Sequence, residues 1–325
     1  MNEGKADGCE TTGRGRGGRC SLRSVLLGSR ITRVALFVFL SLNGMSGAHL
    51  EGAEFKLALV QMRVEPGALE RNLARAETLI AEASARGAEV VLLPEAMDLG
   101  WTHPSARELA TAIPDGATCR RLRDAARRNA VYVCAGLIER EDDRVFNSAV
   151  LIDAAGEVVL KHRKLNELDI AHDLYAQGDR LSVVPTPWGS FGVMICADAT
   201  AKDRVISRSL GYMGADVILS PSSWAVPPDH DNRTTPYGAT WREAYFPVAR
   251  EFAVWIAAAS NVGPVTEGAW KNWKCIGCSR VVGPEGNDVA AGAYGEAAEE
   301  IVYVTISPVP RPTRGTGWHG FRRTG

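Results

Sequence analysis

The sequence predicts an α/β fold of layered sheets and helices. Three observations carry this. Apolar runs of strand length recur from Phe55 to Ile306. Between many of them lie stretches with apolar residues at three- and four-residue steps, the spacing of one helix face. No Pro/Gly-rich linker or short repeat interrupts residues 55–306, so the elements read as one domain. A chain of 325 residues, 46% hydrophobic and 23% charged, is ample for such a core.

Taken in order, FKLALVQM (55–62) is an apolar strand. LERNLARAETLIAEASARGA (69–88) follows as a helix with Leu69, Leu73, Ala76, Leu79, Ile80 and Ala83 on one face, stopped at Gly87. EVVLLPE (89–95) is a second buried strand, and a helix spans roughly Thr118 to Asn129. VYVCAGLIER, VFNSAVLID and VVLKHRK (131–140, 145–153, 158–164) are strands, with a turn at Asp153–Gly156. GSFGVMICAD (189–198) is a strand, followed by a helix over roughly Asp203 to Met213. ADVILSPSSW (215–224) is a strand and TWREAYFPVAREFA (240–253) a helix. VWIAAASNVG, SRVVGPEG and EIVYVTI (254–263, 279–286, 300–306) complete the strands.

The flanks differ. Arg14, Arg16, Arg19, Arg23, Arg30 and Arg33 come with no acid among them, and VALFVFLSL (34–42) and Ser46-Gly47-Ala48 follow. Basic residues, a short apolar core and small residues match a secretory leader over residues 1–48, with export as the expected consequence. The alternative is a start near Met45 and a cytoplasmic protein. The apolar run is far short of the ~20 residues a membrane-spanning helix needs. The core domain reads as 54–306 and residues 307–325 as a Pro- and Arg-rich tail that wraps the surface or reaches a partner subunit. Net charge is −1, which gives no excess of either sign for a nucleic-acid partner. Of seven cysteines five follow Ala48, an odd number and no disulfide framework.

Three strands run out at reactive residues: Glu95, Lys164 and Cys196. In sheets with crossover helices such ends crowd one rim. A thiol near pKa ~8.5 needs a base or a positive neighbour to act as a nucleophile. Glu95 would take its proton and later return it to a leaving amine, and Lys164 would stabilise a developing oxyanion. Each residue also has a plain structural reading. A lone strand cysteine is more often core filler, Glu95 a loop acid and Lys164 a solvated charge. Spacing alone does not bring the three together.

LLPEAM, HRKLNE and GVMICADAT, in that order, resemble the nitrilase superfamily, the carbon–nitrogen hydrolases. YAQGDRLSVVPTPWGSFGVMICAD, GADVILSPSSW, AREFAVWIAAASNVG and GCSRVVGPEG resemble the family's other blocks, so the likeness covers roughly Phe55 to Ile306. The resemblance implies a four-layer α-β-β-α sandwich and a Glu95–Lys164–Cys196 triad. It implies that the backbone N–H of Ala197 joins Lys164 at the oxyanion. It also implies no metal or organic cofactor, and pairing through a helix layer into a homodimer or larger assembly.

The chain departs from the family in places. Many members carry a second glutamate seven residues before the Gly-Asp turn. Here that turn is Gly178-Asp179 and the position is Ala171, so either Glu167 or His172 would position water or substrate instead, or the site lacks that group. Nitrile-cleaving members have tryptophan and glutamate after the cysteine, whereas Cys196-Ala197-Asp198 has neither. An amide or carbamoyl substrate, with water as acceptor, is therefore the expected chemistry. A nitrilase, or a non-catalytic binding protein that keeps the fold, are the alternatives. Asp198 is expected to order the turn after the nucleophile through its side-chain acceptor.

Other features are weighed the same way. The Cys275–Cys278 pair (CIGC) has half-zinc spacing without partners and reads as two structural thiols on a strand. Trp224, at another strand end, either lines the substrate pocket or packs under the next loop. His230 and Arg233 lie on a long polar loop where they would meet a substrate carboxylate or, more simply, solvent.

Overall fold

The computed structural model describes residues 53–309. The expected leader and nearly all of the expected tail lie outside the described residues. The strands are β1 (Phe55–Gln61), β2 (Val90–Leu92), β3 (Tyr132–Glu141), β4 (Arg144–Ile152), β5 (Val158–Arg163), β6 (Val183–Thr186), β7 (Gly189–Val193), β8 (Val217–Ser222), β9 (Ala225–Val226), β10 (Trp255–Ser260), β11 (Val262–Pro264), β12 (Lys274–Ile276), β13 (Arg280–Val282), β14 (Asp288–Ala291) and β15 (Glu300–Ile306). The helices are α1 (Leu69–Ala85), α2 (Ala106–Leu109), α3 (Ala117–Asn129), α4 (Val205–Tyr212) and α5 (Ala239–Phe252).

Two six-stranded sheets form, ordered β15-β1-β2-β3-β4-β5 and β14-β13-β10-β8-β7-β6. Each has a parallel centre, β1-β2-β3 in one and β10-β8-β7 in the other, flanked by antiparallel strands. β11, β12 and β9 make a small third sheet.

The two-residue period of a strand separates the layers. Leu57, Leu59, Val90, Leu92, Cys134, Ala149 and Leu151 face inward to the second sheet, in one core with Val217, Leu219, Ile256 and Ala258. Their neighbours Ala58, Val60, Val91, Leu93, Val133, Ala135 and Val150 face outward, in a core with Leu73, Ala76, Ile80 and Ala83 of α1 and Leu122 and Ala126 of α3. α4 and α5 cover the other sheet through Leu210, Trp241, Tyr245 and Val248. The order is therefore helix, sheet, sheet, helix. Both faces of both sheets are covered, which explains why the strands read as near-continuous apolar runs.

Two expected elements end differently. The strand expected through Cys196 stops at Val193, and Cys196–Thr200 is a short 3-10 helix. The helix expected from Asp203 starts at Val205, because Asp203 and Arg204 take φ of 56° and 54°. Pro247 sits inside α5 without breaking it. A proline has no N–H for the carbonyl four residues back. Arg204 Nε donates to that carbonyl, Glu243 O, at 2.9 Å instead.

Candidate functional site

Each candidate side chain is placed by backbone that its sequence makes possible. Glu95 follows β2, and its N–H donates to Ser222 O at the end of β8 at 3.2 Å. β3 passes closely: a Cβ on Gly136 would lie 2.5 Å from Glu95 Cα. Only glycine admits that approach. Lys164 follows β5; its N–H donates to Asn147 O and its carbonyl accepts from Gly178 N–H, both at 2.9 Å. Cys196 opens the 3-10 helix at φ 43°, a left-handed conformation rare for a residue with a Cβ. The turn displays the thiol at the strand end.

The side chains converge. Lys164 Nζ lies 2.8 Å from Glu95 Oε1 and 3.1 Å from Glu167 Oε1, and all three side chains are 1–2% exposed. Asn147 Nδ2 donates to Glu95 Oε1 at 2.7 Å and to Glu167 Oε2 at 3.2 Å. The ammonium lies 5.6 Å from the centre of the Trp101 ring. Cys196 faces the same groups, with the Glu95 carboxylate opposing its ionisation and Lys164 and the Ser223 N–H favouring it.

The electrostatics follow from this burial. Burial pushes Glu95 above the ordinary carboxylate range; Lys164 opposes this and Glu167 adds to it. Burial works against the Lys164 charge as well, but Glu95 and Glu167 outweigh it and hold the ammonium above its usual pKa. Cys196 is pushed well up, first by burial and then by Glu95, so the resting group is a thiol. One cation shared by two carboxylates beside a thiol can pass a proton locally, without bulk water.

A second network locks the turn. Asp198 Oδ2 accepts from Ile195 N–H at 2.9 Å, and Oδ1 accepts from the N–H groups of Leu165 and Asn166 at 3.0 and 2.8 Å. His162 Nε2 lies 2.8 Å from Asp198 Oδ2. Asn166 Nδ2 and Thr200 Oγ1 donate to Ala197 O at 2.6 and 2.9 Å. Despite burial, His162 and these backbone donors hold Asp198 below the usual carboxylate range. Asp198 thus ties the chain after Lys164 to the chain around Cys196.

Of the two residues expected near the family's second glutamate, Glu167 enters the cluster and His172 does not. His172 N–H closes the Asp169–Ala171 turn on Asp169 O at 3.2 Å, which buries Ala171 and leaves His172 exposed. Trp224 is buried close to the candidate site, with its Nε1 unpartnered among the described residues. It is 1% exposed and stacks on Trp241 with ring centres 4.6 Å apart, packed in the same cluster as Cys196. Ala197 is buried at the start of the 3-10 helix, where backbone N–H groups lack partners within the helix. Arg233 is exposed and pairs with Asp231, and His230 packs edge-on to Tyr237. Cys275 lies in β12, but Gly277 and Cys278 take φ of 65° and 61°, so CIGC is half strand and half turn, with both thiols free. Among the described residues no group of three or more His, Cys, Asp or Glu could hold a metal ion.

Reading the sequence missed Asn147, Asn166, His162 and Gly136. Asn147 interrupts the apolar run of β4 as a polar residue, a signal that could have found it, whereas His162 stands between Lys161 and Arg163 and gives no such signal. Gly136 interrupts VYVCAGLIER in the way that marks a close backbone approach.

The model of the carbon-nitrogen hydrolase family matches residues 56–312. A protein named nitrilase from Pyrococcus abyssi is 36% identical over 176 residues, covering 53% of this chain and 66% of that protein. A protein named omega-amidase NIT2 from Xenopus tropicalis is 30% identical over 248 residues, covering 73% of this chain and 84% of that one. An amidase structure from Nesterenkonia AN1 superposes with a TM-score of 0.67 at 23% identity, over 80% of this chain and 94% of that one. In a further structure of that amidase, the active-site cysteine carries the acetamide moiety of fluoroacetamide.

Proposed function

The chain belongs to the carbon-nitrogen hydrolase family, and on that premise we propose that it hydrolyses a small amide or carbamoyl compound through a thioester on Cys196. The observation that carries this reading is the buried contact between Lys164 Nζ and Glu95 Oε1, at 2.8 Å, beside the Cys196 thiol.

The steps follow from the geometry. The Glu95 carboxylate takes the thiol proton as sulfur adds to the amide carbonyl carbon. Lys164 and the Ala197 N–H hold the oxyanion. Glu95 then gives its proton to nitrogen, the C–N bond breaks, and ammonia or an amine leaves. Water adds to the thioester with Glu95 as base, the C–S bond breaks and the thiol re-forms. Glu167 keeps Lys164 charged and fixed, in place of the second glutamate the family carries elsewhere in sequence.

The relative named nitrilase keeps a nitrile substrate as the second reading. The Cys196-Ala197-Asp198 sequence and the relatives named omega-amidase favour the amide. Export and assembly into a homodimer or larger oligomer complete the proposal. N-terminal sequencing of the natural protein, with His49 first, would support the leader.

The test is a panel of small amides, carbamoyl compounds and nitriles offered to the wild type and to Cys196→Ala. Ammonia release and the intact mass of the protein are both recorded. The expected result is an acyl mass on Cys196 with amides only. Full turnover by Cys196→Ala would overturn the mechanism, and an adduct from nitriles alone would overturn the substrate class.

A further inference from the structure

Asn147 is a polar side chain on an apolar surface. It shares the inward face of β4 with Ala149 and Leu151, in the core between the sheets, and is 1% exposed. A buried amide costs free energy unless its hydrogen bonds are made. Asn147 makes two, both from Nδ2. One goes to Glu95 Oε1 at 2.7 Å and the other to Glu167 Oε2 at 3.2 Å. A primary amide nitrogen carries two hydrogens, so each carboxylate takes one. Asn147 Oδ1 has no partner among the described residues, so the two carboxylates orient the amide.

The two carboxylates are left unequal. Glu95 Oε1 also accepts from Lys164 Nζ, at 2.8 Å. Both donors therefore meet on one oxygen, and Oε2 accepts from neither. The Cys196 thiol hydrogen-bonds the same carboxylate. Glu167 is engaged at both oxygens: Oε1 lies 3.1 Å from Lys164 Nζ, and Oε2 accepts from Asn147. The backbone repeats the link, because Asn147 O accepts the Lys164 N–H at 2.9 Å.

We propose that Asn147 is a positioning residue of the reaction. It pins Glu95 Oε1 against Lys164, so that Oε2 is the atom that takes the thiol proton. It also pins Glu167 as a fixed counter-charge to Lys164 that exchanges no proton with the thiol. This role rests on Cys196 being the nucleophile and Glu95 its base.

Alkylation of Cys196 by iodoacetamide tests this without a known substrate. Sulfur bonds the CH2 carbon, iodide leaves, and the thiol proton passes to Glu95. The rate is followed by peptide mass from pH 4 to 9. Besides Asn147, the groups that face Glu95 are Lys164, Glu167, Cys196, Tyr175 and Cys275. Burial keeps the Tyr175 hydroxyl and the Cys275 thiol protonated on the acid side of this range, so the acid limb reports Glu95.

A hydrogen bond to the charged form favours that form, so removing the amide moves the limb to higher pH. Asn147→Leu keeps the size and branching but offers no N–H. It is expected to move the limb up by about one unit, about a tenfold lower rate at any pH below the limb. Asn147→Ala leaves room for a water to donate in place of the amide, so its shift should be smaller. A packing role alone would rank the two the other way, because leucine keeps the volume. In the wild type, log rate should rise along the limb with a slope of one, as for a single titrating carboxylate.

A limb unmoved by both variants would overturn the inference, as would a larger shift in Asn147→Ala than in Asn147→Leu. A wild-type slope of two would show Glu167 exchanging protons and overturn its fixed role. If Glu95→Gln loses the limb while the Asn147 variants leave it in place, this inference alone falls. If Glu95→Gln keeps the wild-type limb, the catalytic reading falls with it.

Discussion

The Asp198 carboxylate sits 2.8 Å from His162 Nε2 and at the same time accepts three backbone N–H groups, from Ile195, Leu165 and Asn166. It joins the strand end that carries Lys164 to the turn that carries Cys196. Replacing Asp198 with Ala leaves the buried Ile195 N–H and the half-buried Leu165 and Asn166 N–H groups without that acceptor. The expected loss is about 3 kcal/mol of stability, at about 1–3 kcal/mol for each unsatisfied group. Asp198→Asn keeps one acceptor oxygen and should recover part of it. Denaturant unfolding of both variants checks the order.

Lys164→Met should be more harmful than loss of one charge suggests. Glu95 and Glu167 would then share a buried site with no cation, which strongly destabilises or forces protonation. The expected result is a fall in kcat of about a thousandfold or more, with a lower melting temperature. Glu167→Gln keeps the packing and one charge pair, so it should be milder in both readings.

Gly136→Ala tests the placement of Glu95. The added Cβ would lie 2.5 Å from Glu95 Cα and 2.7 Å from Pro94 O, and both are backbone atoms. β3 or the Glu95 turn must shift. About 2 kcal/mol of destabilisation and a fall in kcat at near-constant KM are expected. A fully active Gly136→Ala enzyme would show that the Glu95 position is not critical.

Activity should fall on the acid side at an unusually high pH for a carboxylate. Glu95 must be ionised to take the thiol proton, and burial raises its pKa above the ordinary ~4.3. The acid limb of kcat/KM should therefore lie above pH ~4.3 and disappear from the residual activity of Glu95→Gln.

Asp98 gives a separate pH signature, in stability. Buried in the fold, it holds its proton up to about 7, although the N–H groups of Ile138 and Leu99 favour the ion. In the unfolded chain the proton leaves near ~3.9. Between these values the folded state binds more protons, so stability falls as pH rises through this window and levels off above about 7. Asp98→Asn should flatten that slope, as measured by denaturant midpoints from pH 4 to 8.

The sequence by itself determined the layers and marked three candidate residues at the ends of apolar runs. Period-three-and-four spacing in Leu73, Ala76, Ile80 and Ala83 became the buried face of α1, and the apolar runs became strands buried on both faces. These patterns are local, so they are legible along the chain. Glu95, Lys164 and Cys196 were legible because each ends such a run and because the ordered blocks around them resemble one family.

The tertiary structure alone decided what surrounds them. Glu167 rather than His172 joins Lys164, because a 3-10 turn aims His172 outward. Trp224 is buried because α5 lays Trp241 against it. Asn147 reaches both carboxylates from β4, 52 and 20 residues away in sequence. Such contacts depend on which strands neighbour one another and which way a turn points. Strand order and turn direction are set by packing across the whole sandwich, and no local pattern encodes them.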